Sequence, residues 1–170
     1  MKRLAVLVSG TGSIMESIID DHLPVSLVLA DRECRAIEVA ALRRIECEIV
    51  HRADYVRSDK SFDRQAFTER VTQILLARHI DLVENKTLNT HPSLLPAFKG
   101  DHAVADAWHF GVKITGCTLH YATPQLDHRP IVDQRAVRRL PDDTVESLHE
   151  RIKVEERKMV PENLWILMAQ

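Results

Sequence analysis

Residues 4–13 constrain the fold more than any other stretch of this chain. Leu4-Ala5-Val6-Leu7-Val8 is a short continuous apolar run of β-forming residues, which suits a strand buried on both faces of a parallel sheet. Ser9-Gly10-Thr11-Gly12 breaks it, and Ser13 then stands three residues before Glu16, the spacing of a capping box, heading an apolar helical stretch through Met15, Ile18 and Ile19. A strand that enters a helix through a glycine turn presents backbone N–H groups and a positive dipole end. That geometry suits a phosphate as well as a plain tight turn. The loop lacks the third glycine of a dinucleotide fingerprint and the lysine of a P-loop, so a monophosphate fits it better than a dinucleotide.

The rhythm continues. Val25 to Ala30 reads as a second strand, Ala36 to Arg44 as a helix, and Glu46 to Val50 as a third strand. From Phe62 to Arg78, the positions Phe62, Ala66, Phe67, Val71, Ile74 and Leu75 fall at helical spacing. Alternating strands and helices imply a parallel α/β sheet with helices on both faces. The next step breaks the pattern. Ile80 to Val83 and Leu88 to His91 both read as strands, yet only Glu84-Asn85-Lys86-Thr87 separates them. A parallel crossover needs about a dozen residues, so either the two form a hairpin or one is not a strand. Beyond lie a short helix, Ala103 to His109, and two extended runs, Val112 to Ala122 and Pro130 to Val137, that can pair antiparallel. A helix is expected from Thr144 to Met159, with Asp142 and Asp143 complementing its dipole and Pro161 ending or kinking it.

Length and composition narrow the classes. A chain of 170 residues fits one domain and buries roughly 68–70% of its unfolded surface without a disulfide or metal staple. Twenty-three Lys and Arg against 25 Asp and Glu leave a net charge of −2, with no broad basic field for nucleic acid or anionic membrane. Three widely spaced cysteines, Cys34, Cys47 and Cys117, form neither a metal-ligand rhythm nor a disulfide framework, which fits a reducing, cytoplasmic setting. The N-terminal apolar run is too short for a signal peptide or a membrane span.

Two further places can carry chemistry. In Asn89-Thr90-His91-Pro92-Ser93-Leu94-Leu95-Pro96, residues two apart in a strand face the same side, so Asn89 and His91 can share a cleft while Thr90 packs behind them. Asn offers a neutral donor and His a proton-transfer group. By itself an Asn-x-His is more often structural than catalytic. Asp127 lies in a turn after Thr123-Pro124-Gln125-Leu126, where an aspartate is common for local hydrogen bonding. His120, in the extended run, is placed to approach the same region; no role is read for His128.

Together these pieces resemble the phosphoribosylglycinamide formyltransferase family of purine biosynthesis. The resemblance is carried by Ser9-Gly10-Thr11-Gly12-Ser13, by Asn89 to Gly100, by Gly111-Val112-Lys113-Ile114-Thr115-Gly116-Cys117-Thr118-Leu119-His120-Tyr121, and by Asp142-Asp143-Thr144 to Glu156. It implies a single formyltransferase domain over residues 1–170 with a Rossmann-like, mostly parallel twisted sheet, helices on both faces and antiparallel strands toward the C-terminal part. It also implies formyl transfer from 10-formyltetrahydrofolate, as co-substrate, to 5-phosphoribosylglycinamide, with no metal, small molecules as partners, and a monomer or weak homodimer. Asn89, His91 and Asp127 fall on the family's catalytic Asn, His and Asp. Gly12, Ser13 and Ile14 fall on its phosphate loop, Glu156 on a carboxylate near the glycinamide amine, and Thr123, Pro124, Gln125, Leu126 and Asp127 on the folate wall.

The chemistry asks for such residues. An amine attacking a formyl carbonyl creates an oxyanion, for which Asn89 and a protonated His91 supply donors. Asp127, if close, favours the imidazolium, and the pair can relay a proton from the amine to the leaving folate nitrogen. Three departures stand out. Glu84-Asn85-Lys86-Thr87 replaces a longer family segment, so the domain lacks residues between about 84 and 88; Ile14 replaces a usual Asn; and His128 and Arg129 replace glycines. Two alternatives stay open: a formyltetrahydrofolate hydrolase-like enzyme, and a catalytically impaired variant that only binds a phosphate ligand.

Overall fold

The computed structural model describes residues 2–80, 87–122 and 130–169. The chain falls into two compact units, Met1–Leu82 and Val83–Gln170.

The first unit is the expected parallel part. Strands β1 (Leu4–Val8), β2 (Val25–Ala30) and β3 (Cys47–Ile49) pair in that order, all parallel. Alternation along β2 divides the core in two. Leu27 and Leu29 point to one face and pack with Val71, Ile74 and Leu75 of α3 (Arg64–Ala77). Val28 points to the other and packs with Met15 of α1 (Ser13–Asp20) and with Ala36, Val39 and Ala40 of α2 (Arg35–Leu42). Helices therefore cover both faces. Asp63 caps α3, its carboxylate accepting from the Ala66 N–H at 3.1 Å.

One expectation for this unit needs correcting. The strand buried on both faces is β2, where Leu27 to Ala30 are all buried; in β1, Leu7 is 55% exposed. The rest of β1, Leu4, Ala5, Val6 and Val8, is half-buried.

The second unit is antiparallel. Strand β5 (Ile114–Tyr121) lies between β4 (Leu88–His91) and β6 (Ile131–Arg138). The paired extended runs are thus β5 and β6, and Leu88 to His91 is a strand that takes β5 as its partner. Ile80 is described and buried, whereas 81–83, the rest of the strand expected from Ile80 to Val83, and 84–86 of the shortened segment lie outside the described residues. Helix α4 (Ala103–Phe110) ends at Gly111 in the left-handed conformation, and α5 (Val145–Ala169) packs on β5 and β6. Among the described residues no helix is long and apolar enough to cross a membrane.

Pro161 does not end α5, which runs eight residues past it. The proline forfeits one main-chain hydrogen bond, but Met159, Val160, Pro161 and Leu164 are all buried, and this apolar face offsets the loss. At the other end Thr144 and Ser147 cap reciprocally: Thr144 Oγ1 accepts from the Ser147 N–H at 3.2 Å and Ser147 Oγ from the Thr144 N–H at 2.9 Å. Asp143 also holds this end, accepting from the Leu140 N–H at 2.7 Å and pairing with Arg151.

The glycine turn yields a test. Gly12 has φ +75°, and a Cβ there would lie 2.7 Å from Ala36 Cβ. Gly12→Ala is expected to destabilise the protein by at least about 1–2 kcal/mol from the left-handed backbone alone, with the clash adding to it. Urea unfolding of the two proteins measures this; equal midpoints would refute it.

Candidate functional site

In the parallel unit the glycine loop builds a candidate anion site from backbone. Gly12, at φ +75° and ψ +20°, is the N-cap residue of α1, and its carbonyl accepts from the Glu16 N–H at 2.8 Å. The expected capping box between Ser13 and Glu16 does not form: the left-handed Gly12 moves the cap one residue earlier, so Ser13 is already helical. Glu16 is instead held by Arg35 of α2, whose guanidinium meets both carboxylate oxygens at 2.7 and 2.9 Å and also donates to the Thr11 carbonyl at 2.8 Å. That hydrogen bond from Arg35 keeps the Glu16 carboxyl below its ordinary range. The N–H groups of Ser13, Ile14 and Met15, in the first helical turn, have no intrahelical acceptor. Ser13 and Ile14 themselves are half-buried. What this loop offers an anion is therefore main-chain donors at a helix start.

In the antiparallel unit a separate candidate site is one face of β4 and β5. Antiparallel pairing sets Asn89 opposite His120 and His91 opposite Thr118, so these four side chains share a face. Two backbone carbonyls settle the proton positions. His120, only 3% exposed, donates from Nδ1 to the Tyr121 carbonyl at 3.0 Å. In the neutral ring its Nε2 is then an acceptor, and Asn89 Nδ2 donates to it at 3.3 Å. Asn89 must therefore turn its amide nitrogen toward His120, and one N–H remains for another acceptor. His91 Nε2 lies 2.7 Å from the Phe98 carbonyl, which can only accept, so that nitrogen carries hydrogen and Nδ1 is left for another partner.

Glu156 lies elsewhere. It is 5% exposed in α5 and takes a hydrogen bond from the Thr90 hydroxyl. Thr90 alternates with Asn89 and His91 along β4, so it points to the opposite face of the strand. Burial pushes the Glu156 carboxyl above its ordinary value, and the Thr90 bond opposes that shift. The same burial and the nearby Glu156 charge push the Cys117 thiol up to about 12, which makes Cys117 an inert strand residue.

Asn89 and His91 are thus brought together as their spacing predicted, with His120 beside them. Glu156 is not on their face. Asp127 and the expected folate wall, Thr123, Pro124, Gln125 and Leu126, lie outside the described residues, as do His128 and Arg129. Three participants escape the sequence reading: Arg35 beside the glycine loop, and Thr118 and Gln134 behind the His91 loop. Thr118 and His120 carry the same period of two as Asn89 and His91, a signal that becomes informative once the two strands are known to pair.

Comparison with known proteins converges on one family. The sequence profile described as Formyl transferase matches residues 66–164. Phosphoribosylglycinamide formyltransferase of Mycobacterium tuberculosis is 41% identical over 180 residues, covering 93% of this chain and 81% of its own length. The Bacillus subtilis protein of the same name is 33% identical over 186 residues, covering 95% of this chain and 92% of its own. A crystal structure of glycinamide ribonucleotide transformylase 1 from Symbiobacterium toebii superposes with a TM-score of 0.86 at 35% identity, over 96% of this chain and 85% of that one. With the Asn-x-His face and the glycine turn both in place, the chain belongs to the formyl transferase family and, within it, with the phosphoribosylglycinamide formyltransferases.

Proposed function

We propose that this protein transfers the formyl group of 10-formyltetrahydrofolate to the amine of 5-phosphoribosylglycinamide, a step of purine biosynthesis. The observation that carries the reading is the shared face of Asn89 and His91. Each side chain is oriented by a partner and keeps a defined polar group with no hydrogen-bond partner among the described residues: an N–H on Asn89 and Nδ1 on His91.

The reaction follows from those groups. The substrate amine attacks the formyl carbon, a C–N bond forms, and the carbonyl oxygen gains negative charge. Asn89 donates its remaining N–H to that oxygen, and His91, when protonated, donates from Nδ1. Collapse of the tetrahedral species breaks the bond to the folate nitrogen, which receives the proton given up by the amine. Asp127 is assigned the role of favouring the imidazolium and relaying this proton, and Thr123 to Asp127 that of holding the folate. Gly12, Ser13 and Ile14 are assigned the substrate phosphate; with Ile14 apolar, the main-chain donors and the Ser13 hydroxyl make the contacts. Glu156 is assigned the carboxylate near the glycinamide amine, and the hydrogen bond from Thr90 holds it.

We read residues 1–170 as one formyltransferase domain lacking a family segment between about 84 and 88. The M. tuberculosis alignment supports this, since its 180 residues exceed the part of this 170-residue chain that it covers. Three free cysteines support a cytoplasmic setting, and a net charge of −2 supports small molecules, and neither nucleic acid nor a membrane, as partners. A monomer or weak homodimer completes the reading.

Formyl transfer assayed with both substrates is expected to proceed, and His91→Ala to lower kcat by roughly 10²–10⁴-fold. Hydrolysis of the formyl-folate without transfer would replace this reading by a hydrolase, and binding of phosphoribosylglycinamide without turnover by a binding protein. Glu156 supplies a second test, on stability. Because its carboxyl is raised above 4.5 in the folded state, ionising it disfavours the fold, so the wild type loses stability as pH rises from about 4.5 through the raised value. Glu156→Gln keeps an oxygen for Thr90 and escapes that loss. Its melting temperature relative to wild type is expected to climb between about pH 4 and pH 8; a constant difference would contradict the burial argument.

A further inference from the structure

The loop after His91 is held by a small polar hub. Thr118 Oγ1, fully buried, donates to the Ser93 carbonyl at 2.7 Å and accepts from the Leu95 N–H at 3.0 Å. Gln134 of β6 reaches across: its Nε2 donates to Thr118 Oγ1 at 2.9 Å and to the Leu95 carbonyl at 2.9 Å. Ser93, also fully buried, donates from Oγ to the Ala97 carbonyl at 2.6 Å and lies 3.3 Å from the Phe98 carbonyl. That last carbonyl is the one His91 Nε2 donates to.

The end of this path is strained. Phe98 has φ +49°, a left-handed conformation that disfavours a non-glycine residue, so the loop must be held for its carbonyl to stay in place. Thr118 and Gln134 do not touch the reacting face through a free group. Thr118 Oγ1 makes three hydrogen bonds, two of them to the loop, and Gln134 Nε2 bonds both Thr118 and the loop. The loop in turn sets which nitrogen of His91 carries hydrogen.

We propose that Thr118 and Gln134 are positioning residues for His91. Through Leu95, Ser93 and the Phe98 carbonyl they fix the Nε2–H tautomer and thereby present Nδ1 to the reaction. The consequence for catalysis rests on the reading that His91 acts in formyl transfer; the consequence for the tautomer does not.

The test uses the full chain labelled with ¹⁵N-histidine, observed at a pH where the His91 ring is neutral. Wild type is expected to give the Nε2–H pattern. Thr118→Val, close in shape but without the hydroxyl, is expected to give a mixture of tautomers, and Thr118→Ser to restore the wild-type pattern. Gln134 is on the surface, so Gln134→Met keeps the fold if Thr118→Val does not, and it is expected to show the same mixture. In the transfer assay kcat should fall roughly 10- to 100-fold in Thr118→Val and Gln134→Met, as for a slightly misplaced catalytic group. KM for phosphoribosylglycinamide should stay within about threefold, and Thr118→Ser should recover most of the rate. An unchanged tautomer in folded Thr118→Val and Gln134→Met overturns the proposal, whether or not kcat falls. A full-rate His91→Ala would instead remove the catalytic reading and leave the tautomer result standing.

Discussion

The antiparallel pairing of β4 with β5 is the constraint on which the candidate site depends. It sets Asn89 opposite His120 and His91 opposite Thr118, and so decides which side chains share a face and which are turned toward α5. A slip of one residue would send Asn89 and His91 to the side of Glu156 and bring Thr90 to the other. Gly116 permits the close fit around this pairing. A Cβ there would lie 1.9 Å from the Arg135 carbonyl oxygen of β6 and 3.0 Å from a Leu94 methyl, so a larger residue would push the strands apart or lift the loop that follows His91.

The two units meet different chemical demands by different means. In the parallel unit the candidate anion site is made of main chain: Gly12 opens α1 in a left-handed turn, packs against Ala36, and leaves the first-turn N–H groups without intrahelical acceptors. In the antiparallel unit the candidate catalytic face is made of side chains whose orientation is set by carbonyls. The first arrangement tolerates change in side chains such as Ile14, because the donors are backbone. The second does not, because each donor depends on the partner behind it.

How much of this was legible in the sequence follows the range of the interactions. The Asn89 and His91 pair was legible because a strand's period of two places both on one face whatever the partner is, and the glycine turn because Gly12 stands between an apolar strand and an apolar helix. The capping box was misread because Arg35, nineteen residues away from Glu16, takes that carboxylate. The run Leu4 to Val8 is less buried than its apolar composition suggests, because composition does not say which side chains the helices cover: Leu7 stays 55% exposed. Pro161 was overread because local propensity says nothing of the apolar face that α5 buries beyond it. Thr118, Gln134 and the Phe98 carbonyl act only across strand pairings or through main chain, so no motif marks them.

The same dependence on partners links the protonation of a buried ring to the direction of a donor. His120 accepts from Asn89 through Nε2 only while that nitrogen is bare, and its Nδ1 hydrogen is already given to the Tyr121 carbonyl. A second proton on the ring would set donor against donor, and Asn89 would have to turn its amide oxygen inward to keep the contact. The amide would then aim both N–H groups elsewhere, away from the single orientation that the neutral ring enforces. Asn89 is exposed, and its amide meets the buried His120 ring. The direction of the other Asn89 N–H is therefore set from below, by the buried His120 ring.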